Sequence, residues 1–181
     1  MADTAMTHEG FGIYRAKDAP GLSEAGCMAI DPMTPVQRAG VEKAMAAGLL
    51  DGDDVRLLVN MPGFSLTRVW FKKDYPLPLH SHDVDCLYHI VAGSLRLGTE
   101  TLGPADSFFL PAGVPYTYRP GPDGVELLEF RHEMRFTFKN LAKGEAFWTK
   151  AAEVCSANRE AWRVAARPTD AITASTPAER E

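Results

Sequence analysis

Two histidines separated by a single residue, His80 and His82, are the pair in this chain whose type and spacing most directly suggest chemistry. Side chains on a β-strand alternate between its two faces, so both imidazoles would point to the same face of one strand. Neutral imidazole is the commonest protein metal ligand and suits zinc, iron, copper and nickel. The pair therefore predicts half of a metal site, although an exposed strand edge that carries two histidines would give the same pattern.

The residues around this pair resemble the two sequence motifs of the cupin superfamily. The first motif, roughly G-x5-H-x-H-x3-4-E-x6-G, is matched by His80, His82 and Gly93. The second motif, roughly G-x5-P-x-G-x2-H-x3-N, is matched by Pro111 and Gly113. The resemblance implies an all-β fold, the cupin double-stranded β-helix or jelly-roll barrel, with flanking N- and C-terminal helices.

Several motif positions depart from the family pattern. Cys86 stands in place of the glutamate and Tyr116 in place of the third histidine, while Asp74 and Ala105 replace two glycines. The region that carries the motifs, residues 57–131, is less than half of the chain. The resemblance thus predicts the fold together with an altered set of metal ligands.

Composition limits the partners that this chain could take. Its 181 residues, 45% hydrophobic and 24% charged, suit a single folded unit with a sizeable core. The formal net charge of -5 argues against a nucleic-acid partner, because surfaces that bind nucleic acid are rich in Lys and Arg. We therefore expect a small-molecule partner.

The chain also lacks the signals of membrane insertion and export. No apolar run approaches the length that crosses a bilayer, and residues 1–6 have neither a basic region nor an apolar core. Cys27, Cys86 and Cys155 are an odd and widely separated set, which fits a reducing compartment better than a disulfide framework. These features predict a cytoplasmic protein with no membrane partner.

Local signals divide the chain into four segments. A helix should begin at Thr34 and Pro35, which provide an N-cap and a first-turn proline, and should end near Leu49. A second helix is expected over residues 145–166. The predicted segments are 1–54, irregular with one helix and a short strand near 12–15; 55–140, the barrel; 141–167, the C-terminal helix; and 168–181, a flexible tail.

The barrel strands are predicted from short runs rich in β-branched and aromatic residues, punctuated by Gly and Pro. Turns are expected at Gly93 and at residues 120–124, among others. The predicted strands are residues 55–59, 64–71, 77–82, 85–91, 94–97, 100–102, 107–110, 116–119, 125–131 and 134–138.

Strand alternation orders the residues that follow the two histidines. If Cys86 faces the barrel interior, as the family's glutamate does, then Tyr88 and Ile90 also face inward, while Leu87 and His89 face outward. Several cupin lyases place a tyrosine two residues after the glutamate, close to the metal. The resemblance therefore gives Tyr88 the role of a ligand or proton acceptor.

Other candidates have more than one interpretation. Cys86 could complete a two-histidine, one-cysteine ligand set, or could be a small buried apolar residue. Tyr116 could bind metal as phenolate, hold a metal-bound water or line a pocket. On one face of a late strand, Glu126 or His132 could reach the cavity, although a surface salt bridge is the commoner role.

The resemblance implies a divalent metal held by His80, His82 and Cys86, with Tyr88 and Tyr116 as catalytic residues. Iron or zinc is preferred over manganese or nickel. The first functional hypothesis is a metal-dependent enzyme for a small aromatic or ketone-like substrate, foremost a dioxygenase and then a lyase or isomerase. The second is a non-enzymatic binding or sensor protein with a degenerate metal site. The family also implies a homodimer.

Overall fold

The computed structural model describes residues 10–170, which form two β-sheets with helices beside them. The predicted tail therefore lies outside the described residues from position 171 onward. The helices are α1 Leu22–Ala25, α2 Pro35–Ala46 and α3 Glu145–Arg163, and two 3-10 turns span Ala16–Asp18 and Leu49–Asp51. The strands are β1 Met28–Ile30, β2 Asp53–Met61, β3 Phe64–Phe71, β4 His80–His82, β5 Cys86–Leu97, β6 Glu100–Leu102, β7 Ser107–Leu110, β8 Arg119–Arg131 and β9 Phe136–Asn140.

The two sheets give the jelly-roll architecture that the sequence predicts. The larger one has the strand order β2-β3-β8-β5-β6, with β7 also paired to β5, and its pairs are antiparallel. The smaller has the order β1-β9-β4, in which β1 runs parallel to β9. The all-β fold with flanking helices is confirmed, as two sheets rather than one continuous closed barrel.

The core lies on the inner face of β5 and β8, where side chains follow the expected period of two. Tyr88 and Ile90 of β5 are fully buried, as are Val125 and Leu127 of β8, while Leu87 is 44% exposed. Each buried aliphatic side chain of this kind contributes about 1.5–3 kcal/mol relative to leaving it in water. The burial of Tyr88 and Ile90 confirms the inward orientation predicted for both.

Gly93 lies inside strand β5, so the prediction that it ends the strand is wrong. Its φ is +72°, and a Cβ at this position would lie 2.3 Å from the carbonyl oxygen of Gly124. The register of the β5–β8 pair shifts between Gly93 and Leu95. The glycine therefore allows a bulge at a close backbone approach, and β8 likewise continues through residues 120–124 where a turn was expected.

Helix α2 begins with the capping box that its sequence predicts. The Thr34 hydroxyl accepts a hydrogen bond from the Gln37 backbone N–H, and the Gln37 side chain accepts one from the Thr34 N–H at 2.9 Å. The Gln37 amide also donates to the Asn140 carbonyl at 2.8 Å, which ties the helix to β9. The helix ends at Ala46, three residues earlier than predicted.

The predicted C-terminal helix is confirmed as α3, which buries one face that carries Trp148, Ala152, Cys155 and Trp162. The short strand expected near residues 12–15 is not formed, and the N-terminal strand is β1 instead. Within residues 10–170, no helix is both long and apolar enough to cross a membrane.

Candidate metal and ligand site

Strand β4 brings His80 and His82 together on the inner side of the smaller sheet. Both side chains are buried, and β4 pairs antiparallel with β9, with His82 opposite Phe138. On the other side of β4, His80 and Tyr116 exchange two backbone hydrogen bonds, of 3.0 and 2.8 Å. The segment after β7 is thereby held so that Tyr116 stands beside His80.

Backbone carbonyls fix the orientation of both imidazole rings. Nδ1 of His80 lies 2.8 Å from the Pro78 carbonyl oxygen, and Nδ1 of His82 lies 2.9 Å from the Thr137 carbonyl oxygen. Since a carbonyl only accepts hydrogen bonds, each Nδ1 is the protonated nitrogen and each Nε2 carries a lone pair. Metal-binding histidines are commonly oriented in this way.

Burial keeps both imidazoles neutral near pH 7. It lowers the pKa of His80 to about 4, and the nearby His82 adds to this effect. Burial also lowers the pKa of His82 to about 4, together with the positive charge of Arg131. Neutral rings are the form that binds a metal ion.

The two rings share one aromatic enclosure. Their centroids are 5.2 Å apart, and the Tyr116 ring lies 4.2 Å from the His80 ring. Phe138 stacks on His80 at 4.8 Å, and Phe136 meets His82 edge-on at 5.3 Å. The structure therefore places the two predicted histidines together, within an apolar surround that restricts their movement.

Tyr88 and Tyr116 form a hydrogen-bonded pair of buried phenols. Their hydroxyl groups are in direct contact, and the Tyr88 ring stacks on Phe108 at 4.5 Å. Burial raises the pKa of both phenols, so both are neutral donors near pH 7. Tyr116 is part of the cavity wall, whereas Tyr88 is fully buried beside it and contacts it through the two hydroxyl groups.

Cys86 belongs to the buried core cluster and does not line the cavity that His80 and His82 line. It is almost fully buried, and burial raises the pKa of its thiol to about 12. Across residues 10–170, no group of three or more His, Cys, Asp or Glu side chains is placed to hold a metal ion. This arrangement favours the packing role that the sequence left open for Cys86, and its role as a ligand stays a prediction.

Sequence reasoning missed two charged residues of the cavity, Glu129 and Arg131. Both lie on β8 on the face that also carries Leu127, opposite to the face considered for Glu126 and His132. Glu126 instead accepts hydrogen bonds from the backbone N–H and hydroxyl of Thr169, at 2.8 and 2.5 Å, outside the cavity. His132 has a side chain that is 62% exposed.

The alternation of Val125 and Leu127 was the signal that could have located this pair. Two aliphatic residues at odd positions mark the inward face, and the same period then places Glu129 and Arg131 inside. The Arg131 guanidinium donates to the Glu129 carboxylate at 2.6 Å. Burial lowers the pKa of the Arg131 guanidinium, but Glu129, Cys86 and Tyr88 together raise it by more, so the net shift is upward.

A cavity of about 260 Å³ lies between the two sheets and contains these groups. Most of its wall is aliphatic or aromatic, and its polar groups converge from β4, β8 and the segment at Tyr116. Asp53 also lines it, and burial together with the neighbouring Asp54 raises the pKa of this carboxyl to about 7. The polar side chains of the wall include Asp53, His80, His82, Glu129, Arg131 and Asn140, together with the hydroxyl groups of Tyr75, Tyr116 and Tyr118.

The residues present fit part of a metal site. Two neutral imidazoles, each oriented by a carbonyl at Nδ1, line one cavity and supply two donors of the kind that zinc and iron accept. Tyr116 adds a phenol oxygen beside His80. Any further donors would have to come from water or from a ligand, because no third His, Cys, Asp or Glu in the described part of the chain completes the group.

Comparisons with known proteins bear on the fold. No family model matches the chain, and no curated protein matches it either. Among solved structures, an RmlC-like cupin from Shewanella frigidimarina is 22% identical over 45% of this chain and 76% of its own, with a TM-score of 0.40. The polyketide cyclase RemF from Streptomyces resistomycificus is 22% identical over 57% of this chain and 84% of its own, with a TM-score of 0.48.

KdgF from a Halomonas species is a third similar structure, 20% identical over 45% of this chain and 82% of its own, with a TM-score of 0.39. The two sheets themselves support the jelly-roll arrangement that the motifs predict. At these identities the likeness concerns the fold alone, and the activity in each name is that of the named protein.

Proposed function

We propose that this protein is a metal-dependent cupin enzyme that acts on a small organic substrate bound in the cavity, with His80 and His82 as its metal ligands. The observation that carries the proposal is the pair of Nδ1 contacts to backbone carbonyls, at 2.8 and 2.9 Å, which leave both Nε2 atoms free for a shared ion. Zinc or iron suits two imidazoles best.

The metal would polarise a substrate oxygen, or with iron would support redox chemistry. The chain's own groups would orient the substrate. The Tyr116 hydroxyl lies at the cavity wall and could donate a hydrogen bond to a substrate oxygen, while Tyr88 supports it from behind. The aromatic surround of the histidines suits a flat, largely apolar substrate and limits the entry of water.

A dioxygenase is the first activity that we propose, and a lyase or isomerase is the next. A flat substrate that binds a metal through its oxygens suits either. The identity of the metal separates them, because iron supports the activation of dioxygen, whereas zinc has no redox chemistry and would act as a Lewis acid. A homodimer also stays a prediction.

One observation favours a different class of function, a binding or sensor protein with a degenerate metal site. The two histidines have no third His, Cys, Asp or Glu grouped with them among residues 10–170. The Tyr88–Tyr116 pair and the Glu129–Arg131 pair could then recognise a small molecule without a metal. Metal binding distinguishes the two proposals.

The test is a metal-binding measurement on the purified chain. The protein is stripped, reloaded separately with Fe²⁺ under anaerobic conditions, Zn²⁺, Mn²⁺ or Ni²⁺, desalted and analysed for bound metal. We expect roughly one ion per chain, and an affinity lowered by more than about 100-fold in His80→Ala and His82→Ala, since even indirect changes at metal sites cost about 10–100-fold.

A matched histidine provides the control. His89 lies on β5, and its Nδ1 is 2.9 Å from the Ser107 hydroxyl rather than in the cavity. His89→Ala should bind metal as the unchanged protein does. Failure to bind any of the four ions, or retention of the ion by the His80→Ala/His82→Ala double variant, would overturn the metal-dependent proposal and leave the binding protein.

A further inference from the structure

Arg131 is the most deeply buried charged side chain that lines the cavity, with a relative exposure of 2% for the whole residue. One of its nitrogens, Nη2, donates to Glu129. Its Nε and Nη1 atoms are buried and have no hydrogen-bond partner within the part of the chain described here. A guanidinium group has five N–H donors and no acceptor, so these atoms require acceptor atoms from elsewhere.

The guanidinium group is held in place rather than free to turn. Glu129 fixes one nitrogen at 2.6 Å, and the Phe136 ring covers the group, with its centroid 4.0 Å from Cζ. An arginine restrained on one nitrogen and one face loses little further conformational entropy when another group binds the remaining donors. Arg131 is therefore preorganised to receive an acceptor.

Stability alone does not account for this arrangement. A buried ion pair seldom adds net stability, because the loss of hydration offsets the attraction between the charges. Each unsatisfied buried donor adds a further cost. An acceptor in the cavity would remove that cost, and Arg131 lines the same cavity as the two imidazoles.

The charges around the cavity point to an anionic acceptor. The two unpartnered nitrogens belong to a guanidinium cation, whose planar fork of donors matches a carboxylate. A divalent ion on His80 and His82 would add positive charge to the same cavity, which Asp53 also lines. The rest of the wall is mainly apolar, which suits a ligand with an uncharged body; this part includes Val69, Phe71, Leu77, Tyr118, Phe136 and Phe138.

We propose that Arg131 binds the carboxylate of a small organic acid, whose aromatic or aliphatic body occupies the apolar part of the cavity. This inference deepens the proposed function, on which it rests, by naming the substrate class as a carboxylic acid. Arg131 acts as a binding residue that orients the acid against the two histidines.

Benzoate and benzamide provide the first test, because they have nearly the same shape and only benzoate carries a charge. Calorimetric titration into the Zn²⁺-loaded protein should show benzoate binding at least about tenfold more tightly, since a hydrogen bond to a charged group is worth about 1.5–3 kcal/mol. Equal affinities, or a preference for benzamide, would overturn the proposal.

Two variants then assign the effect to Arg131. Arg131→Met keeps much of the side-chain volume but leaves the buried Glu129 carboxylate without its partner, which could prevent folding. The double variant Glu129→Gln/Arg131→Met removes both charges and so avoids an unpaired buried charge. Both should bind benzoate no better than benzamide. Arg56→Met, a change to a half-exposed arginine outside the cavity, should keep the preference.

The metal dependence separates failure of this inference from failure of the proposed function. Titration is repeated after chelation, when the preference for benzoate that depends on Arg131 should shrink but persist. A protein that binds metal through its histidines but treats both probes alike would retain the proposed function and lose this inference. A protein that binds no metal but prefers benzoate would retain this inference and lose the proposed function.

Discussion

Two clusters of arginine and acidic side chains lie on opposite faces of the larger sheet. Outside the cavity, Asp54 contacts Arg56 at 2.6 Å, Arg68 at 3.7 Å and Arg167 at short range. Inside it, Glu129 faces Arg131 alone. The outer arginine side chains are 21–43% exposed, whereas that of Arg131 is 1% exposed.

This difference separates ordinary surface electrostatics from a candidate binding group. Water and salt screen the outer cluster, so each of its ion pairs is worth little. The inner pair has no such screening, and part of its hydrogen-bonding capacity is unused. The same residue types therefore form surface ion pairs on the outer face and a candidate binding group on the inner face. The difference between them is burial.

The largest expected effect comes from removing the inner acid. Glu129→Gln leaves the Arg131 charge buried without a counterion, so we expect the free energy of unfolding to fall by about 3 kcal/mol. Urea denaturation monitored by tryptophan fluorescence measures this change.

Asp54→Asn is the matched substitution on the outer face of the larger sheet. Its partners Arg56 and Arg167 are partly exposed and can turn toward water, so we expect a loss of about 1 kcal/mol or less. If Glu129→Gln and Asp54→Asn lower the free energy of unfolding by the same amount, the contrast between the two faces is wrong. The cavity around Arg131 would then be more hydrated than the burial of Arg131 indicates.

The sequence predicted the fold and the paired histidines because both depend on local pattern. The period of two placed His80 with His82 and Tyr88 with Ile90. Local pattern could not show that strands β5 and β8 approach each other closely at Gly93 and Gly124, since these two residues are 31 positions apart in the chain. A glycine in a bulge and a glycine in a turn look alike in sequence.

The role of Arg131 was missed for a related reason. Charged residues are usually exposed, so the face of β8 that carries Glu129 and Arg131 is not the one expected to line the cavity, even though Val125 and Leu127 share it. The buried aliphatic face determines which side of a strand points inward, and the charged residues that share it are the exceptions with functional interest.

The next largest effect concerns the inner phenol pair. Tyr116→Phe leaves the Tyr88 hydroxyl buried without its partner, and we expect a loss of about 1–2 kcal/mol. Tyr88→Phe/Tyr116→Phe should cost less than the two single changes combined, because neither ring then leaves an unsatisfied hydroxyl. Tyr118→Phe, in the same core, is the control and should have almost no effect. Additive single and double effects would contradict coupling of the two phenols.

The smallest effect, and the one that tests the outer face, comes from Arg56→Gln. The Arg56 side chain is 43% exposed and pairs with Asp54, so we expect a loss of about 0.5 kcal/mol at low salt. At 1 M NaCl the Debye length is about 3 Å, so the unchanged and variant proteins should unfold at nearly the same urea concentration. The cost of Glu129→Gln should hardly change with salt, because ions do not enter the cavity wall around Arg131. If the effect of Glu129→Gln on the free energy of unfolding depends strongly on salt, the Glu129–Arg131 pair is accessible to solvent ions. Both clusters would then be surface clusters.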